Sequence, residues 1–388
     1  MFPARGAAIV GVYTTAQAKS LERSSYSLQL EAIKGALSDA GLTAADVNGV
    51  VPMGEPPDGR RWPQQFWAAQ FGGRPLTYVQ VGTPSPNIVN AALAISAGLA
   101  DVVVVFSGKA GFRVGPRGTP VPKAAPRIYD WDFRVMGASF AQFYAMWARR
   151  YMHEFSVTSA DLAEVAVRHR YHATLNPESV MGSRGEITID DVLGSRMVSD
   201  PLHLLDCALD TDGGHALVLA SSSVARDCKK APVWVIGGAE AADTDFYMTI
   251  DVPWIRSEAG AVRRTGDIAF AQAGVTRSDI DVANLYDCFT VTMLRDLEEL
   301  GFCGLGEGPS YFNEGHTGLG AAMPCNTDGG LLSGSHIGMI HGMQAIEVTR
   351  QLRGECGARQ VQGARIGLVL AQGASVHGYA GTAILASD

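Results

Sequence analysis

Four stretches of the sequence combine residue types that can do chemistry. In "NLYDCFTVTML" (284–294), Tyr286, Asp287 and Cys288 follow a short apolar run and precede a helical pattern. A phenol, a carboxylate and a thiol there stand where parallel α/β sheets gather ligands, at the carboxyl ends of strands. The plainer alternative is that Tyr286 packs and Asp287 caps the helix. In "NTDGGLLSGSHIGMIHGMQAIEVTRQLRG" (326–354), a Gly-Gly turn and a Gly-x-His approach lead into a long helix. A histidine in such a loop is an acid/base candidate, which singles out His336. His341 follows five residues later, so the two would not share a helix face, which argues against a paired-histidine metal site. In "AQGASVHGYAG" (371–381), glycines around His377 would let the backbone approach a ligand closely, although a hydrogen-bonded loop histidine is the commoner role. In "VQVGTPSPN" (79–87), Gly82 and Ser85 sit at a strand-to-helix junction whose N–H groups could hold an anion. An ordinary Gly-Pro cap is the stronger local reading of that stretch.

The elements that must position these groups read as alternating strands and helices punctuated by 45 glycines. Ala7–Val12 is a short strand. Ser27–Ala40 is a helix closed by Gly41. Asn87–Leu99 is an amphipathic helix, and Val102–Phe106 is a strand buried on both faces. "DAGLTAADVNGV" (39–50) resembles "QAGVTRSDIDVA" (272–283), and each half then pairs a helix with a buried strand. That is the pattern of a duplicated α/β domain. Between the halves, Phe112 to Leu205 is richer in Arg, Pro, His and aromatic residues. It contains two helical patterns, "ASFAQFYAMWARRYMHEF" and "TSADLAEVAVRHRYHATLN", the second capped by Thr158 or Ser159 and short of a full capping box. We read this region as an insertion that covers a pocket.

Composition narrows the function class. The 388 residues are 47% hydrophobic, ample for a packed core. Net charge is −8, from 31 basic and 39 acidic residues, with no block of like charge that would mark a nucleic-acid or membrane-surface partner. Residues 1–12 hold too short an apolar run for a signal peptide or a membrane span, so the cytoplasm is the expected compartment. The six cysteines form no C-x-x-C pair, so neither a zinc site nor a disulfide framework is expected.

Taken together, the four stretches resemble the thiolase superfamily, most closely its sterol-carrier-protein thiolase and lipid-transfer-protein branch. "YDCF" resembles the H-D-C-F motif of that branch, and "NTDGG…GSHIG" resembles N-P-S-G-G…G-H-P-x-G. The two helical patterns and "DPLHLLDCALDTDGG" resemble the loop domain and its return to the core. The resemblance implies a thiolase fold, two similar halves in a five-layer α-β-α-β-α core. The N-terminal half would take residues 1–111 and 206–230, the inserted region 112–205, and the C-terminal half 231–388.

The departures from the pattern decide the implied chemistry. The acyl-accepting cysteine is missing: its slot falls near Val81 or Gly82, and no cysteine precedes Cys207. Ser85 is nearby without an evident base. Tyr286 replaces the motif histidine, and "AQGAS" replaces the C-terminal C-x-G. This pattern resembles the thiolase-like aldolases of steroid side-chain degradation. Those enzymes cleave β-hydroxyacyl-CoA without an acyl-enzyme and work with a small zinc-ribbon/OB-fold partner.

The implied catalytic residues are Tyr286, His336 and Cys288, with Asn326, Gly82, Ser85, Asp287 and His377 toward the substrate and no metal. Coenzyme A would serve as the substrate's carrier and no cofactor would be covalently bound. The implied assembly is a homodimer. Two other readings stay open: an acyltransferase acting on a β-ketoacyl-CoA with an unrecognised nucleophile, and a non-catalytic acyl-CoA-binding subunit.

Overall fold

The computed structural model describes residues 5–52, 64–80, 87–110, 140–242, 260–337, 341–373 and 379–388. Period-2 patterning builds the strands and fixes where each face goes. In β1 (Ala7–Thr14), Ala7 and Ile9 face one apolar cluster while Ala8 and Val10 face another. In β4 (Val102–Lys109), Val103 and Val105 face the first cluster while Val102, Val104 and Phe106 face the second. The run "VVVVF" is therefore buried on both faces, as its composition predicts.

The other strands are β2 (Gly49–Pro52), β3 (Tyr78–Val79), β5 (Met197–Ser199), β6 (Leu202–His203), β7 (Gly213–Ser221), β8 (Val233–Ala242), β9 (Val282–Asn284), β10 (Ile366–Gly373) and β11 (Tyr379–Ala386). β5 and β6 form a separate two-stranded sheet; the rest form one sheet in the order β3-β2-β4-β7-β1-β8-β11-β10-β9. That sheet is two half-sheets joined at a narrow seam, where β1 pairs antiparallel with β8 through Ala8–Trp234 and Ile9–Val233.

The halves repeat one another. β7 runs antiparallel between β1 and β4, as β11 does between β8 and β10. β2 is parallel to β4, as β9 is to β10. β3 is parallel to β2, and a parallel bridge joins Cys325 to Ala283 of β9 at the matching place. The repeated sequence segments do the same job twice. Helices Ser25–Ala40 and Ala261–Ala273 both end on a left-handed glycine, Gly41 (φ 74°) and Gly274 (φ 67°). Each is followed by a threonine–aspartate capping box, Thr43–Asp46 and Thr276–Asp279.

Five layers follow. Helices Ser25–Ala40 and Gln64–Gln70 cover the outside of the first half-sheet, where Trp67 and Phe71 join its core. Helices Asn87–Ser96 and His341–Leu352 lie between the half-sheets, packing Ile88, Val89, Ala345 and Val348 against Leu217, Leu219, Val369 and Leu385. Helices Ala261–Ala273 and Thr290–Glu299 cover the outside of the second. The inserted helices Phe140–Phe155 and Ser159–Thr174 pack on that same C-terminal face. Thr158 caps the second of them with a complete box, contrary to the sequence expectation, because Asp161 does the work usually given to Glu. Among the described residues, no helix is long and apolar enough to cross a membrane.

Candidate active site

The strand β9 ends at Asn284, and the chain turns through Leu285–Phe289 before helix Thr290–Glu299 starts. Thr292 fixes that turn by donating to the carbonyls of Tyr286 (2.9 Å) and Phe289 (2.7 Å). Asn326 holds the other side: its Oδ1 accepts from Leu285 N (2.8 Å) and its Nδ2 donates to Leu285 O (2.9 Å). Asn326 is wholly buried at φ 49°, so its carboxamide clamps backbone and does not reach out toward a substrate.

Asp287 is likewise built in. Its carboxylate accepts from Leu331 N (2.9 and 3.0 Å), from Leu332 N (3.3 Å) and from His169 Nδ1 (2.8 Å). It thus anchors a π-helical turn, Gly330–Gly334, by its first N–H groups. Gly330 must lack a side chain, because a Cβ there would overlap the Asp287 carboxylate, and its φ is +58°. The helix cap expected of Asp287 is real but belongs to this turn, not to the helix that follows it in sequence.

Cys288 and the phenols beside it form the first reactive group. The hydroxyls of Tyr286 and Tyr144 both hydrogen-bond the Cys288 sulfur. Tyr144 comes from the inserted helix and stacks on Phe289 at 4.2 Å between ring centres. Burial, then the neighbouring Cys288, pushes both phenols well above their ordinary acidity range. Burial likewise pushes the Cys288 thiol up, against the two hydrogen bonds it accepts. All three groups therefore hold their protons at neutral pH.

His336 is the second group. Its Nδ1–H donates to Leu209 O (3.0 Å), which leaves Nε2 with a free lone pair. Its own N–H donates to the Thr211 hydroxyl (3.1 Å), and its carbonyl accepts from Thr211 N (3.2 Å). Burial, then the nearby Lys109 ammonium at the end of β4, lowers its pKa to about 4. It is thus a neutral imidazole at pH 7. The segment Cys207–Thr211 ties the two groups into one site: Ala208 N donates to Cys288 O (2.9 Å), and Leu209 and Thr211 of the same segment hold His336. The structure so brings Tyr286, Cys288, Asp287, Asn326 and His336 together. Gly82, Ser85 and His377 lie outside the described residues.

Tyr144 and His169 escape a reading of the sequence. Both sit at buried positions of amphipathic helices, where aromatic and histidine side chains are ordinary core. Only the packing of the insertion on the C-terminal half brings them to Cys288 and Asp287. Among the described residues no group of three or more His, Cys, Asp or Glu side chains is arranged to hold a metal ion.

A duplicated five-layer core with its reactive groups at the carboxyl end of a half-sheet defines a thiolase-fold protein. A family model described as "Thiolase C-terminal domain-like" matches residues 254–387. A steroid side-chain-cleaving aldolase of Thermomonospora curvata is 36% identical over 367 residues, covering 90% of both chains. A 17-hydroxy-3-oxo-4-pregnene-20-carboxyl-CoA lyase of Mycobacterium tuberculosis is 37% identical, covering 90% of this chain and 92% of its own length. Among solved structures, the Ltp2-ChsH2(DUF35) aldolase superposes with a TM-score of 0.87 at 33% identity, over 100% of this chain and 99% of that one. Human mitochondrial 3-ketoacyl-CoA thiolase shares the fold at a TM-score of 0.69 and 14% identity, over 99% of each chain. The chain belongs to the thiolase superfamily. Within it, the protein is a carbon–carbon lyase of the aldolase type.

Proposed function

We propose that the protein cleaves a β-hydroxyacyl-CoA by retro-aldol chemistry with His336 as base and Tyr286 and Cys288 on the acid side. Nε2 of His336 takes the proton of the β-hydroxyl as the C–C bond breaks, releasing a ketone or aldehyde. The bond's electron pair passes into the thioester enolate, beside which Tyr286 holds a phenolic proton. Cys288 then gives its thiol proton to the enolate carbon. The observation that carries this reading is the division of protons: one unprotonated imidazole nitrogen, and a thiol and two phenols kept protonated by burial. Neither covalent capture nor a nucleophile is needed. Asp287 and Asn326 act through the backbone they hold, while Gly82, Ser85 and His377 are assigned to the substrate by the resemblance alone.

The proposed substrate class is a steroid-derived or similarly bulky acyl-CoA, a reading supported by the relatives named for steroid side-chain cleavage. The proposed assembly is a homodimer with a zinc-ribbon/OB-fold partner, supported by the neighbour described as an aldolase containing a DUF35 component. The test is to incubate the purified chain, with and without such a partner, with a β-hydroxyacyl-CoA and to measure ketone and shortened acyl-CoA. Tyr286→Phe and His336→Ala are each expected to lower kcat by about 10²–10⁴-fold, and Ser85→Ala to be tolerated. Full activity in Tyr286→Phe would refute the assignment, and a trapped acyl-enzyme would favour the acyltransferase alternative.

A further inference from the structure

A cation at the end of β4 has no part in that mechanism, yet it is built into the support of the base. Lys109 is the last residue of β4, and in the strand register it pairs with Gly213 of β7. Its ammonium ion-pairs with the carboxylate of Asp210. Asp210 is the residue between the two that hold His336. On one side, the Leu209 carbonyl accepts the Nδ1–H of His336 (3.0 Å). On the other, the Thr211 hydroxyl accepts from His336 N (3.1 Å), and Thr211 N donates to His336 O (3.2 Å). Backbone bonds pin the flanks: Leu209 N donates to Leu331 O (3.1 Å), and Asp212 exchanges bonds of 2.7 and 3.2 Å with Ala18. The Lys109–Asp210 pair is partly exposed at both ends, so it adds little to global stability. Its place is what matters, because it ties a strand of the N-terminal half to the two residues that orient the base. Which ring nitrogen of a histidine carries the proton is set by the bond that the other nitrogen makes or lacks. A Leu209 carbonyl that swings away frees Nδ1 to compete with Nε2 for the single proton.

We propose that Lys109 is a positioning residue for His336: through its ion pair with Asp210 it holds the Leu209 carbonyl on Nδ1–H, so that Nε2 remains the basic nitrogen. The inference rests on His336 being the base of the retro-aldol reading above. No proton passes through Lys109. Its charge adds a second effect in the same direction, since an ammonium near an imidazole disfavours the imidazolium. The charges that face His336 are Lys109 from β4, which lowers its pKa, and Asp287 from the turn after β9, which raises it. Asp210, on the Cys207–Thr211 segment, is the counter-ion of Lys109 and blunts its effect. Cys288, Tyr286 and Tyr144 hold their protons and add no charge. Lys109 thus fixes where the lone pair of the base points and helps to keep it unprotonated.

Lys109→Met removes the ammonium and keeps the stem, whereas Lys109→Arg keeps the charge and can still reach the carboxylate. The experiment measures ketone release against pH on the full chain with its partner and separates kcat from KM. In Lys109→Met we expect kcat to fall about tenfold, with KM changed by less than about threefold. The acid limb of kcat/KM is expected to move up by about one pH unit. Lys109→Arg is expected to restore kcat to within about threefold and to leave the limb in place. Unchanged kcat and an unmoved limb in Lys109→Met overturn the proposal. So does a loss of kcat with the limb unmoved, since that is what a purely structural role would give. If Lys109→Met does not fold, Asp210→Asn decides the matter, because it breaks the pair and leaves the ammonium. There kcat should again fall about tenfold and the limb should not rise; full kcat or a raised limb overturns the proposal. His336→Ala run alongside separates the two ideas. Full activity there defeats the reading of His336 as base, whereas an inactive His336→Ala with a normal Lys109→Met defeats only the role of Lys109.

Discussion

At Cys288, two hydroxyls donate to sulfur, which alone would favour a thiolate, yet burial outweighs them. Thiolates, not thiols, attack electrophiles, so Cys288 is expected to resist alkylation by iodoacetamide at neutral pH in the folded protein. Peptide mapping after brief exposure checks this; rapid labelling at Cys288 would show that the sulfur ionises. His336 gives the opposite kind of test. Its base form exists above a pKa of about 4 and is lost as pH falls through that value. We therefore expect kcat/KM to stay flat from pH 7 to about 5 and then to fall, with that limb absent from the residual activity of His336→Ala. Tyr286, Cys288 and His336 can be singled out in the sequence because polar groups at the ends of apolar runs stand out, while the roles proposed for them draw on the packing around them. For Asn326, nothing local in the sequence says that its carboxamide is spent on Leu285.

At the scale of elements, close approaches repeat with the fold. A Cβ on Gly11 of β1 would overlap the carbonyl of Ala36, and one on Gly237 of β8 would overlap the carbonyl of Ala269. Each glycine lets its strand lie directly against the helix outside its half-sheet. Gly11→Ala and Gly237→Ala are each expected to cost about 1–3 kcal/mol, read as a lowered urea midpoint. A cost at only one of them would mean that the two halves are not packed alike. The helix–glycine–threonine–aspartate repeat was readable because capping and left-handed termini are set within a few residues. The π-helical turn Gly330–Gly334 was not, because its geometry is imposed by Asp287, more than forty residues away in the chain. The seat of the insertion was hidden for the same reason: Arg170 Nε donates to Ser333 Oγ (3.0 Å), and Met181 N donates to Ser333 O (3.1 Å), across the whole span between the halves.

For the molecule as a whole, acid should be the weak side. His172 is completely buried, with Nδ1 donating to Asn326 O (3.2 Å), and burial followed by the neighbouring His169 lowers its pKa to about 3. The unfolded chain binds this proton near 6.5, so the folded state loses stability as pH falls from about 6.5 toward 3. The loss is on the order of 5 kcal/mol if the fold does not relax around the charged ring. Urea midpoints should therefore drop steadily below pH 6, and less steeply in His172→Gln; an unchanged slope would show that His172 does not drive the loss. The order in which the layers are assembled has a consequence of its own. β7 lies between β1 and β4, yet it follows the insertion, so the first half-sheet cannot close until residue 221 has left the ribosome. The inserted helices, complete at Thr174, must then wait for Gly330–Gly334, roughly 8–30 s later at ordinary rates of synthesis. Until Phe289 and helix Thr290–Glu299 emerge, Tyr144 and Tyr151 lack the partners they pack on in the finished fold, which marks the nascent chain, more than the finished enzyme, as the client of a chaperone.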